Sequence, residues 1–116
     1  MIAVIFEVIP NAEGKAEYLA IAASLREKLA DVPGFISIER FQSMTDPNKI
    51  LSLSFWEDET SVAQWRNLEV HRNAQSKGRG SLFNDYRIRV GNITRDYSLS
   101  EREQTPKDLK EAHPQT

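Results

Sequence analysis

The chain has 116 residues, 40% hydrophobic and 28% charged, with a formal net charge of −2 and no cysteine. That size fits one domain, and the missing cysteine excludes disulfides, thiolate metal sites and a Cys nucleophile. No apolar run approaches the length of a membrane span, Met1–Glu7 lacks the basic start of a signal peptide, and no basic tract suggests nucleic acid. A cytoplasmic protein is expected, with neither nucleic acid nor a membrane as partner.

In chain order, residues 2–9 form a β-branched and aromatic run closed by Pro10-Asn11, which predicts a strand and a turn. Asn11 is a candidate cap for a helix over Ala12–Asp31. Within it Tyr18, Ile21, Ala22, Leu25 and Leu29 recur at three- and four-residue steps, making one apolar stripe. Pro33-Gly34 stops it. Phe35–Phe41 and Ile50–Trp56 read as a hairpin around the turn residues Thr45-Asp46-Pro47-Asn48. Asp58-Glu59-Thr60-Ser61 opens a second helix with oxygen-bearing caps and acids. Gly78 and Gly80 end it, and Asp85–Thr94 is a fourth strand. Residues 101–116 carry one leucine, no aromatic residue and many charges. The reading is therefore a domain over 1–98 and a flexible charged tail over 99–116, with one helical turn around Lys107–Ala112.

Strand, helix, strand, strand, helix, strand is the ferredoxin-like plan of the α+β class: a four-stranded antiparallel sheet with both helices on one face. An open face bathed in water would alternate apolar and polar residues. Here Ile2, Val4, Phe6 and Val8 oppose Ala3, Ile5 and Ile9, while Leu51, Leu53 and Phe55 oppose Ile50 and Trp56. Strand two places Ile36 and Ile38 on one face, Phe35 and Phe41 on the other. Both faces are apolar and helices cover one, so a homodimer with sheets packed face to face is expected.

The stretch from Trp65 to Arg89 gathers the chemistry. It holds His71, the single histidine outside the tail, and a local excess of Lys and Arg in an acidic protein. His71 suits a general base by its near-neutral pKa; a helix-end histidine in a cap or interface is the alternative. Trp65 is either core or pocket wall. Arg72 and Arg79 are candidate anion partners or a solvated helix end. Glu7, a charge inside an apolar strand, either sits near water or pairs with Arg87 or Arg89 across the sheet. Trp56 and Tyr86 are packing residues or ligand contacts. One chain cannot assemble a multi-histidine metal site from His71 and His113, and no metal is expected.

Ser52-Leu53-Ser54-Phe55-Trp56, then Trp65-Arg66, His71-Arg72-Asn73-Ala74-Gln75, Gly78-Arg79 and Asp85-Tyr86-Arg87-Ile88-Arg89-Val90, resemble the antibiotic biosynthesis monooxygenase domain over residues 1–98. The resemblance implies a dimeric α+β barrel with a pocket between sheet and helices in each subunit. It also implies a cofactor-independent monooxygenase that oxidises a small aromatic, phenol- or quinol-like substrate with O2. A non-catalytic binding or stress-response module is the alternative. Catalysis would fall to His71, Trp65 and Arg72, with Glu7, Trp56, Gln75 and Tyr86 contacting substrate and no cofactor. The haem-degrading branch uses a first-strand asparagine, a second-helix tryptophan and a histidine ten residues later; here Glu7, Trp65 and Gln75 stand at those places.

Overall fold

The computed structural model describes residues 1–76 and 82–112, excepting the side chains of 68–76 and 110–112. Its elements are β1 (Ile2–Pro10), α1 (Lys15–Leu29), β2 (Phe35–Gln42), β3 (Ile50–Trp56), α2 (Glu59–Ser76), β4 (Phe83–Asn92) and α3 (Lys107–Ala112). The strands form one antiparallel sheet in the order β2-β3-β1-β4, the predicted ferredoxin-like arrangement. β1 and β3 are the central strands, and both carry large apolar residues on each of their faces.

Alternation along the central strands decides which side the helices cover. Ile2, Val4, Phe6 and Val8 are buried, as are Ile50 and Trp56. They meet the predicted stripe of α1: Tyr18, Ala22, Leu25 and Leu29 are buried and Ile21 is half-buried against them. α2 adds Val62 and Trp65 to a cluster with Ile2, Val4, Leu29, Ile38 and Trp56. A second cluster joins Phe6, Val8, Tyr18, Ile50 and Leu82. Each fully buried Leu, Val or Trp contributes on the order of 1.5–3 kcal/mol. The Trp56 indole N–H donates to Ser54 Oγ at 2.9 Å, so the ring enters the core without an orphaned donor.

Three local expectations are corrected. Asn11 does not cap α1; its Oδ1 and carbonyl accept the Gly14 N–H, and the helix begins at Lys15. The Asn11 N–H donates to Leu82 O at 2.9 Å, so Asn11 closes a turn tied to the start of β4. β4 therefore starts at Phe83, two residues earlier than predicted, and ends at Asn92. In β2 the register shifts between Phe35 and Ser37. The extra residue of that bulge flips the pattern: Phe35 packs edge-on against Trp56 at 5.1 Å, while Ile36 is exposed. Phe35 and Phe41 thus lie on opposite faces.

At the start of α2, Asp58 Oδ1 accepts both the Ser61 N–H and the Ser61 hydroxyl, each at 2.9 Å. This is the N-cap that the sequence signals. The bond from the Ser61 N–H, then that from its hydroxyl, holds the Asp58 carboxyl below its ordinary pKa. The sign follows. A depressed folded value adds stability that is fully present above the ordinary aspartate pKa and lost as pH falls through the folded value. Asp58→Asn keeps an acceptor and removes the titration. The variant should show a flatter decline in Tm than the parent below about pH 5; parallel Tm-versus-pH curves would rule this cap out as an acid-sensitive element.

Beyond β4, Ser98 Oγ accepts the Glu101 N–H at 2.9 Å, and Gln104 Oε1 accepts the Asp96 N–H at 2.7 Å. Thr105 is buried, and α3 follows as the expected helical turn.

Candidate functional site

β4 is an edge strand whose apolar residues alternate with cations. Tyr86, Ile88 and Val90 are in register with Val8, Phe6 and Val4, so all six side chains lie on the helix side of the sheet. Their exposures differ sharply. Val8, Phe6 and Val4 are buried, whereas Tyr86, Ile88 and Val90 are 58%, 42% and 47% exposed. The apolar face thus runs out from beneath the helices as an uncovered shelf one strand wide. Three large apolar side chains left accessible along one edge mark a ligand surface more readily than a scattered surface residue does.

Four rings wall one end of the shelf. Phe6 lies 6.1 Å from Phe83 and 5.9 Å from Tyr86; Phe83 is 5.5 Å from Tyr18 and 6.0 Å from Tyr86. These are edge-to-face and tilted contacts of the kind aromatic quadrupoles favour, and they present ring edges and one phenol to a ligand. Behind the shelf, Val4 belongs to the same buried cluster as Trp65 and Trp56.

The predicted site residues separate by this geometry. Tyr86 stands on the shelf. Trp65 is buried in the core behind it, and Trp56 has no exposed surface at all. Glu7 is not brought together with them: it points to the opposite face, where the Arg89 guanidinium meets its carboxylate at 3.3 Å. Glu7 and Lys49 line two clefts on that face, one with Asp85 and Arg87, the other with Phe41 and Leu51. His71, Arg72 and Gln75 lie in the part of α2 whose side chains are outside the described residues, and Arg79 is outside them entirely. Among the described residues no three His, Cys, Asp or Glu cluster as metal ligands would, and no helix is long and apolar enough to cross a membrane.

Sequence reasoning passed over Phe6, Phe83, Ile88 and Val90. The signal was present in the alternation of Tyr86, Ile88 and Val90 with Arg87 and Arg89, which marks a two-faced strand. That the helices leave its apolar face uncovered is a tertiary fact.

Known proteins agree with this architecture. The model of the family described as antibiotic biosynthesis monooxygenase matches residues 1–77. A Pyricularia oryzae protein named jasmonate monooxygenase ABM is 49% identical over 94 residues, covering 81% of this chain. This chain spans only 44% of that relative's length. The uncharacterized protein YqjZ of Bacillus subtilis is 27% identical over 99 residues, covering 85% of this chain and 84% of its own. The structure of Rv0793 from Mycobacterium tuberculosis superposes with a TM-score of 0.69 at 13% identity, covering 84% of this chain and 98% of that one, a likeness of fold.

Proposed function

The chain belongs to the antibiotic biosynthesis monooxygenase family, and on that premise we propose that it is a homodimeric monooxygenase that oxidises an electron-rich phenol or quinol-like ring on the β4 shelf. The carrying observation is the exposure of Tyr86, Ile88 and Val90 on the helix side of the sheet, beside the ring wall of Phe6, Phe83 and Tyr18. An apolar ring buries its faces there, while the Tyr86 hydroxyl can bond a polar substituent.

In this reading His71 takes the phenolic proton and Arg72 stabilises the resulting anion. Gln75 and Tyr86 orient the substrate, and Trp65, with Trp56 beneath it, stiffens the wall. Glu7 holds Arg89 on the reverse face. The phenolate is the reductant: electrons pass from the ring to O2, a carbon–oxygen bond forms at a ring carbon, and loss of water leaves the quinone. One oxygen atom enters the product and the other leaves as water, so phenol plus O2 equals quinone plus water. The protein supplies desolvation, orientation and charge stabilisation. A second reading rests on the relative named for jasmonate. Jasmonate is a cyclopentanone carrying a carboxylate, and an alicyclic acid would use the same shelf with Arg72 as its cation.

Oxygen uptake with a panel of quinols, polycyclic phenols and cyclopentanone acids tests both readings. Uptake saturating with one class identifies the substrate. Ile88→Glu, which puts a charge on an exposed β4 position without disturbing the core, should raise KM for that substrate by about tenfold or more. Saturable binding without uptake across the panel would instead make the shelf a non-catalytic binding site.

A further inference from the structure

Phe83 stands on the side of β4 that simple alternation denies it. Tyr86, Ile88 and Val90 share the helix side, so a regular strand would send Phe83 to the reverse face with Asp85, Arg87 and Arg89. Its ring instead meets Tyr18 of α1 at 5.5 Å and Phe6 at 6.1 Å. The cause is a β-bulge. Ile9 is in register with Asp85, but Pro10 is in register with Phe83, and Asn84 is the extra residue between. One added residue reverses the side chains beyond it and re-aims them. The turn after β1 fixes this bulge in place. Pro10 has no N–H to give the ladder, and the next N–H, that of Asn11, donates to Leu82 O at 2.9 Å. Asn11 Oδ1 accepts the Gly14 N–H, which folds the turn back until Gly14 lies on Leu82. A Cβ at Gly14 would be 2.8 Å from Leu82 O and 2.9 Å from Leu82 Cα, so only glycine allows the two backbones this close.

We infer that the Asn11–Gly14 turn, through the bulge it holds, makes Phe83 the end stop of the β4 shelf, so that the site selects linear phenols over angular ones. This rests on the shelf reading above and adds the shapes the shelf admits. The Tyr86 and Phe83 rings are 6.0 Å apart, so a substrate hydroxyl bonded to Tyr86 is held beside the wall. The rest of its skeleton must then run along Ile88 and Val90. From Tyr86 to Val90 the strand advances about 14 Å, long enough for two aryl rings in line. Beyond Val90 the shelf is open, because Gly91 and Asn92 are exposed. A substituent in line with the C–O bond follows the shelf outward, whereas one beside the hydroxyl meets Phe83. That ring is half-buried and braced by Phe6 and Tyr18, and a braced ring rejects by clash what it does not fit.

Isothermal titration of the full chain with 4-phenylphenol and 2-phenylphenol tests this, with thermal melts to confirm folding. The parent should bind the linear isomer at least about tenfold more tightly than the angular one. Phe83→Ala should gain affinity for the angular isomer by about fivefold or more, a gain that lost stability does not produce. Gly14→Ala keeps the ring but forces Leu82 aside, and should move the preference in the same direction. Gly34→Ala is the control: its methyl strikes Ser61 Oγ beside β2, three strands from the shelf, so it should lose stability and keep the parent's preference. Ile88→Glu should weaken both isomers, which locates the binding on the shelf. Equal binding of the isomers by the parent, or a parent-like preference in Phe83→Ala, would overturn the end stop while leaving the shelf as the site. A parent-like preference in folded Gly14→Ala would overturn the role of the turn. Binding of neither isomer, or binding indifferent to Ile88→Glu, would overturn the shelf reading and this inference together.

Discussion

Gly34→Ala is expected to remove roughly 2–4 kcal/mol of stability, a large part of the about 5–15 kcal/mol that holds a domain of this size. Gly34 has φ +86°, a conformation in which any side chain is strained. A Cβ there would lie 1.9 Å from Ser61 Oγ. Ser61 cannot swing aside cheaply. Its hydroxyl lies 2.7 Å from Pro33 O and 2.9 Å from Asp58 Oδ1 and shares its one proton between them, an arrangement worth about 1 kcal/mol. The Gly34 carbonyl meanwhile accepts the Glu57 N–H at 2.8 Å. One methyl group would thus disturb the entry to β2, the exit of β3 and the cap of α2 together. The urea midpoint should fall by about 1–2 M at unchanged m-value. Adding Ser61→Ala removes the atom the methyl strikes, so the double variant should lose less than the sum of the singles. Additive losses, or a Gly34→Ala midpoint equal to the parent's, would refute this account of the junction.

The largest expected effect on activity is that of His71→Ala, a fall in kcat for oxygen uptake of about 100-fold or more. A phenol ionises near pH 10 and an imidazole near 6.5, so at neutral pH a neutral histidine can accept a proton that water accepts poorly. Only the neutral form serves. The parent rate should therefore rise with pH and level off above the histidine's pKa, whereas the variant should climb on toward the substrate's own ionisation. A more acidic phenol should recover much of the lost rate, since its anion forms without help. Retention of both rate and plateau in His71→Ala would place the base elsewhere. Position 113, the other histidine, is the control.

Much of the fold was legible because local and long-range signals agree. The stripe of Tyr18, Ile21, Ala22, Leu25 and Leu29 predicted the buried face of α1; Ile21 is half-buried and the other four are buried. Asp58 and Ser61 marked the start of α2 and form its cap. The errors fell where one residue changes the count. The β2 bulge that turns Phe35 toward Trp56 has no signature in Phe35-Ile36-Ser37. Asn11 reads equally well as cap or turn until its bond to Leu82, 71 positions away, is known.

For the site, the chain itself supplies the candidate residue types, and the alternation of Tyr86, Ile88 and Val90 with Arg87 and Arg89 is written in it. Residue type is written in the chain, and the two-residue period of a strand follows from backbone geometry. Which of those residues meet was settled by packing. Glu7 and Tyr86 lie one position apart in the β1–β4 register, yet adjacent positions point to opposite sides of a sheet. Trp56 and Trp65 are equally aromatic on paper, and both sink into the core because the helices close over β1 and β3. The same helices stop short of β4. Where a helix ends its coverage depends on how its side chains seat against the whole sheet, a property of the assembled layers that no single stretch contains.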